Sequence, residues 1–121
     1  MDRLEHIFQL QAKFDQALAE RRNLKHIAPE EWIQKEVLAI VSELGELLDE
    51  TNFKWWKNPK PVNQAALREE VVDILHFFVS MCIKLGMTAE DLYQGYLEKN
   101  KENFDRQQGK SAKSGYEWEV E

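Results

Sequence analysis

Apolar residues recur at helical intervals along most of the chain, and no stretch alternates regularly enough to predict a strand. Leu4, Ile7, Leu10, Phe14 and Leu18 mark one side of a first helix from about Asp2 to Arg22. Pro29 falls near a second start, with Glu30 and Glu31 in the first turn, where the positive end of a helix favours acids. Ile33, Val37, Ile40, Val41, Leu44 and Leu48 carry this helix to about Glu50. Asn58, Pro59 and Pro61 make residues 51–62 a connection. The third and most apolar helix runs from about Asn63 to Leu85, with Gly86 as its C-terminal cap. Thr88 caps a fourth, with Glu90 and Asp91 in its first turn and Leu92, Tyr93, Tyr96, Leu97 and Phe104 following. Four helices with mostly short connections predict an all-α fold, an antiparallel four-helix bundle. The expected organisation is a helical domain over 1–108 and a polar tail over 109–121, either an ordered strap or a mobile arm.

Composition narrows what such a bundle can do. At 121 residues the chain is one domain, small enough to gain from association. Its 22 acids against 16 bases, net −6, exclude a broad basic face, so nucleic acid is not an expected partner. A bound cation can still invert the local sign and admit a phosphate-bearing small molecule. The single cysteine, Cys82, leaves no intramolecular disulfide or thiolate cluster and reads as core. The opening MDRLEHIFQL has no long apolar run and no segment reaches membrane-spanning length, so the expected compartment is the cytoplasm, with no membrane partner. Abundant aromatics and the unusually apolar third helix predict a homodimer or an assembly of dimers.

The acids carry the chemistry. At about 100° per residue, Glu36, Glu43, Glu46 and Glu50 gather on one arc beside the apolar stripe of the second helix, while Asp49 points elsewhere. On the third helix Glu70 falls between Phe77 and Met81, inside the apolar arc, with Asp73 at its edge. A carboxylate there is costly unless paired, hydrogen-bonded or bound to metal. Glu43 and Glu46 alone read as a solvated acidic face, and Glu70 alone as half of a buried ion pair. Two pairs spaced by three on successive helices favour another reading. Facing helices can present Glu43, Glu46, Glu70 and Asp73 to one centre. Oxygen ligands without His or Cys select Mg²⁺, with Mn²⁺ as a substitute, and such a metal usually serves substrate phosphates.

Glu43-x-x-Glu46 followed by Glu70-x-x-Asp73 resembles the all-α NTP pyrophosphatase superfamily, which includes MazG-type enzymes and the dimeric dUTPases. FKWWK after the acidic helix, DILHF at Asp73–Phe77 and KNKENFDRQ near the end are similar to the dimeric dUTPase signatures. LQAKFD is similar to that family's uracil-side helix, with Gln11 and Asp15 at matching places. The resemblance implies Mg²⁺-dependent hydrolysis of dUTP to dUMP and pyrophosphate by a water activated at the carboxylate-bound metals, limiting uracil in DNA. It implies Glu43, beside Glu46, as the base, and Lys99, Asn103 and Arg106 as phosphate contacts. On their own physics those three align at i, i+4 and i+7 and equally describe a solvated helix end.

Other positions keep two readings. Gln11 projects among Leu4, Ile7 and Leu18, where its amide either reads a base edge or bonds another helix. Asp15, at the stripe's edge, is a surface acid apart from the resemblance. One of Trp55 and Trp56 anchors the loop or an interface while the other closes over substrate, and the resemblance puts Trp56 and Lys54 on the substrate side. Phe77 is core or packs against a deoxyribose. His76 lies on a strip with Glu69 and Ser80, directed away from the apolar centre, and reads as a supporting or interface residue. The competing functions are a MazG-like or dCTP-preferring pyrophosphatase, and a catalytically silent helical interaction module.

Overall fold

The computed structural model describes residues 1–118; the last three positions of the expected tail, 119–121, lie outside the described residues. Four helices follow in order: α1 (Arg3–Arg21), α2 (Pro29–Asp49), α3 (Gln64–Lys84) and α4 (Ala89–Gln107), with no strand among the described residues. The all-α class is as expected and accords with a four-helix bundle.

Local chemistry sets the helix ends. Asp2 accepts the Glu5 amide at 2.8 Å and opens α1. Pro29 opens α2, whose N-cap Ala28 makes no side-chain hydrogen bond. Asn63 accepts the Ala66 amide at 3.1 Å and opens α3. Thr88 and Asp91 cap α4 reciprocally, at 3.0 and 2.9 Å. Each side-chain cap contributes about 1 kcal/mol. Gly86 closes α3 with φ +78°, a left-handed conformation that lets the Met87 amide reach the Cys82 carbonyl at 2.9 Å.

The chain divides into two compact units, the first Met1–Met87 and the second beginning at Thr88. In the first, α3 packs against both α1 and α2, more extensively against α2. In the second, the tail folds back along the end of α4 as a strap. The Trp118 amide donates to the Gln107 carbonyl at 2.9 Å, and the Trp118 ring meets Phe104 edge-on at 6.4 Å.

Few side chains of the first unit are fully covered. Phe8, Val79 and Cys82 are buried, whereas Leu38 (67 %), Val41 (57 %), Val71 (55 %) and Leu10 (54 %) are exposed. On α2, exposed Val37, Val41, Leu44 and Leu48 repeat at intervals of four, three and four, the spacing that seats one helix against another. No single helix among the described residues is long and apolar enough to cross a membrane.

Candidate functional site

Helical spacing puts Glu43 and Glu46 one turn apart on α2, and the packing of α3 on α2 brings Glu70 to them. One carboxylate oxygen from each of the three lies within 4.8 Å of the other two. Glu46 is exposed, Glu43 and Glu70 half-buried. The Oε2 atoms of Glu43 and Glu70 are buried without a hydrogen-bond partner. Two carboxylates so close do not both ionise cheaply without a cation. The adjoining Glu70 carboxyl, together with burial and the neighbouring Glu46, pushes the Glu43 carboxyl up to about 7. For Glu70 the contact with Glu43 pulls down, but burial and the charges of Glu46 and Asp73 outweigh it, and the net direction is up. Buried, unpartnered oxygens among closely grouped hard donors are what a divalent metal site requires, so the residues fit one. Asp73 stands outside the three-residue group but is close enough for its charge to act on Glu70.

A cavity of about 510 Å³ runs from Glu43 and Asp73 along the first unit. Gln11, Phe14 and Asp15 of α1, Trp32, Lys35 and Glu36 of α2, and His76, Phe77, Ser80 and Lys84 of α3 line it. Glu36 precedes Glu43 by two helical turns, about 10 Å, so the cavity has an acidic end and a distant mixed-charge end. At the latter, Lys84 donates to Glu36 Oε1 at 2.6 Å and to Ser80 Oγ at 2.8 Å. Its ammonium also lies 4.0 Å from the Trp32 ring centre. Ser80 Oγ lies 2.8 Å from both Asp15 Oδ2 and Glu36 Oε1. Gln11 Nε2 donates to Asp15 Oδ1 at 3.0 Å, which turns its Oε1 toward His76 Nδ1, also at 3.0 Å. Nδ1 therefore donates to Gln11.

Of the residues expected at the site, Gln11, Asp15, Glu43, Asp73 and Phe77 share this cavity, and Glu46 and Glu70 join Glu43. Gln11 is buried and makes the interhelix bond of its plainer reading, to His76. Lys54 and Trp56 do not line it. Lys54 lines a separate 290 Å³ cavity with Lys57 and Lys60, in a loop that Asn52 clamps through two bonds to the Lys60 backbone at 2.9 and 3.0 Å. Trp55 (86 %) and Trp56 (60 %) are exposed and meet edge-on, so neither anchors the loop within this chain. Lys99, Asn103 and Arg106 stand on α4 in the second unit. Lys99 and Asn103 are exposed, whereas Arg106 Nε donates to Glu102 at 3.1 Å and its guanidinium lies 5.4 Å from the Tyr116 ring centre. Bonds from Ser111 and Arg106 hold the Glu102 carboxyl below its ordinary range.

The structure corrects the outward direction assigned to Ser80, which lines the cavity and is among the most buried polar groups because α1 and α2 both pack on α3. His76 also lines the cavity but is exposed, and it bonds Gln11. Glu36, Ser80, Lys84 and Trp32 were not expected at a site. The available signal was spacing: Ser80 and Lys84 follow Asp73 at 7 and 11 residues, intervals that return to one helical face, and Glu36 already shared an arc with Glu43.

Hard oxygen donors beside a cavity of about 510 Å³ make a site of the size and chemistry that a metal-bound phosphate compound requires. The dUTPase family profile matches residues 3–88, and the chain belongs to this dUTPase family of all-α NTP pyrophosphatases. It is similar to the dCTP pyrophosphatase of Enterobacteria phage T4, 36 % identical over 74 residues, which are 61 % of this chain and 43 % of that protein. The dCTP pyrophosphatase of Enterobacteria phage LZ5 is 35 % identical over the same shares. A DNA replication protein of phage T4 is 34 % identical over 68 residues, 56 % of this chain and 17 % of that protein. The chain thus spans less than half the length of the curated relatives it matches. No solved structure matches it.

Proposed function

We propose that the protein hydrolyses a pyrimidine deoxynucleoside triphosphate to its monophosphate and pyrophosphate, with Mg²⁺ at Glu43, Glu46, Glu70 and Asp73. The observation that carries this reading is the pair of buried, unpartnered Oε2 atoms of Glu43 and Glu70 at the mouth of a cavity sized for a nucleotide. When bound, the metal supplies neutralisation of triphosphate charge and a more acidic water. The chain's own residues do the rest. Ionised Glu43 accepts a proton from the attacking water, Phe77 packs on the sugar, and the far end of the cavity receives the base. Lys99, Asn103 and Arg106 are proposed for the phosphates, and Lys54 and Trp56 for closing over substrate, on the family resemblance alone.

Two substrates fit this chemistry. The FKWWK, DILHF and KNKENFDRQ stretches support dUTP, which would make the activity a guard against uracil in DNA. The names of the phage relatives support dCTP. Pyrophosphate release from dUTP, dCTP, dTTP, dATP, dGTP and UTP, with and without Mg²⁺, tests the reading. We expect turnover of at least one of the first two and none without a divalent cation. Absence of turnover for every nucleotide would overturn it in favour of a silent module.

The proposed assembly is a homodimer, with the α2 seam against a second copy. Burying four aliphatic side chains of that seam on each side contributes several kcal/mol. Val41→Glu places a charge in the middle of it. Light scattering coupled to size exclusion is expected to show a dimer for the natural chain and a monomer for this variant; an unchanged mass would place any contact elsewhere.

A further inference from the structure

We propose that the strap over 109–118 is a positioning device for Arg106: Ser111, acting through Glu102, and the Tyr116 ring hold the guanidinium in one orientation and leave its outer edge for a phosphate group. The inference deepens the pyrophosphohydrolase reading and rests on its assignment of Arg106 to the phosphates. It adds the residues that hold that side chain, all of them in the second unit.

The tail reaches Arg106 because glycine lets it turn back. Gly109 has φ +73°, and the Lys110 amide meets the Asp105 carbonyl at 2.8 Å as the chain leaves α4. Gly115, at φ +94°, makes a second bend, where its amide donates to Glu117 Oε2 at 3.0 Å. The returning chain passes close to Gly109, where a Cβ would meet Glu117 Cγ at 3.4 Å. Trp118 then fastens it to Gln107 and Phe104. Between these points two side chains converge on one turn of α4. Ser111 Oγ donates to Glu102 Oε1 at 2.6 Å, and the same oxygen accepts Arg106 Nε at 3.1 Å. The Tyr116 ring takes the guanidinium, 5.4 Å from its centre.

An Arg–Glu pair one turn apart on a helix surface ordinarily stays mobile and contributes little. Here the Arg106 side chain is only 14 % exposed. Its Nε is committed to Glu102, whereas among the described residues nothing accepts from its two Nη groups. Those amino groups are the paired donors that grip a phosphate by a fork. Ser111 and Arg106 hold the Glu102 carboxyl below its ordinary range, so it stays ionised at neutral pH and the fork keeps its anchor. A long side chain ordered before the anion arrives loses no freedom on binding it, an advantage of roughly three- to tenfold in affinity.

The test is calorimetric binding of inorganic pyrophosphate to the full chain with Mg²⁺, alongside nucleotide turnover. Ser111→Ala and Tyr116→Ala are each expected to weaken pyrophosphate binding roughly three- to tenfold. Ser111→Thr keeps the hydroxyl and Tyr116→Phe keeps the ring, so both should retain the natural affinity. In an Arg106→Ala background, itself weaker than the natural chain, the two alanine variants should have no further effect. Melting curves establish that each variant is folded. Unchanged affinity in both alanine variants, an equal loss with and without Arg106, or no loss in Arg106→Ala alone would overturn the inference. The expected pattern of binding without turnover of any nucleotide would instead strike the pyrophosphohydrolase reading and leave the strap standing.

Discussion

Glu70→Gln is expected to lower pyrophosphate release by about three orders of magnitude while leaving the fold intact. Several kcal/mol of charge stabilisation at the metal would be lost, and each 1.4 kcal/mol is roughly tenfold. The amide conserves volume, so α3 packing is kept. It can donate a hydrogen bond to Glu43, whose Oε2 is otherwise buried and unpaired, so the metal-free variant should melt no lower than the natural chain. A destabilised, inactive protein would speak only of folding. A stable, inactive protein whose melting temperature no longer responds to Mg²⁺ identifies Glu70 as a ligand. Full activity would remove Glu70 from the centre and leave its position inside the apolar arc without a function.

How legible this centre was follows from the geometry of helices. Glu43-x-x-Glu46 and Glu70-x-x-Asp73 lie within single turns, so the periodicity of the chain alone placed each pair on one face. The helix ends were equally local: Asp2, Pro29, Asn63, Thr88 and Gly86 act through bonds or torsions spanning a few residues. What periodicity cannot give is which third helix covers a face. Ser80 points outward on a wheel drawn for α3 alone, yet α1 and α2 both pack on α3 and close over it. The same omission hid Lys84, whose partners Glu36 and Asp15 come from two other helices. The Lys54–Lys57 loop lay beyond periodic structure altogether, and its shape depends on the Asn52 clamp, a contact eight residues long in sequence.

Metal-free protein is expected to lose stability as pH rises from about 5 to 8, and Mg²⁺ to restore it most at the alkaline end. The carboxyl of Glu43 titrates near 4.5 when unfolded but is pushed up to about 7 in the fold, first by the adjoining Glu70 carboxyl and then by burial. Between those values the folded state binds more protons than the unfolded one, so raising pH favours unfolding. Glu70, shifted in the same direction, adds to the slope. Glu102 is shifted downward, so its contribution is lost only as pH falls below about 4.5, outside this window. Above pH 7 both carboxylates at the centre must ionise face to face unless a cation replaces the proton. Metal binding should therefore tighten with pH and release a proton near pH 6.5. Melting curves at pH 5, 6.5 and 8, with and without Mg²⁺, read the first effect. Calorimetry in two buffers of different ionisation enthalpy reads the second. In Glu70→Gln the repelling partner is gone, so both dependences should flatten. A melting temperature that rises from pH 5 to 8 without metal, or a slope unchanged in that variant, would place the titrating group elsewhere.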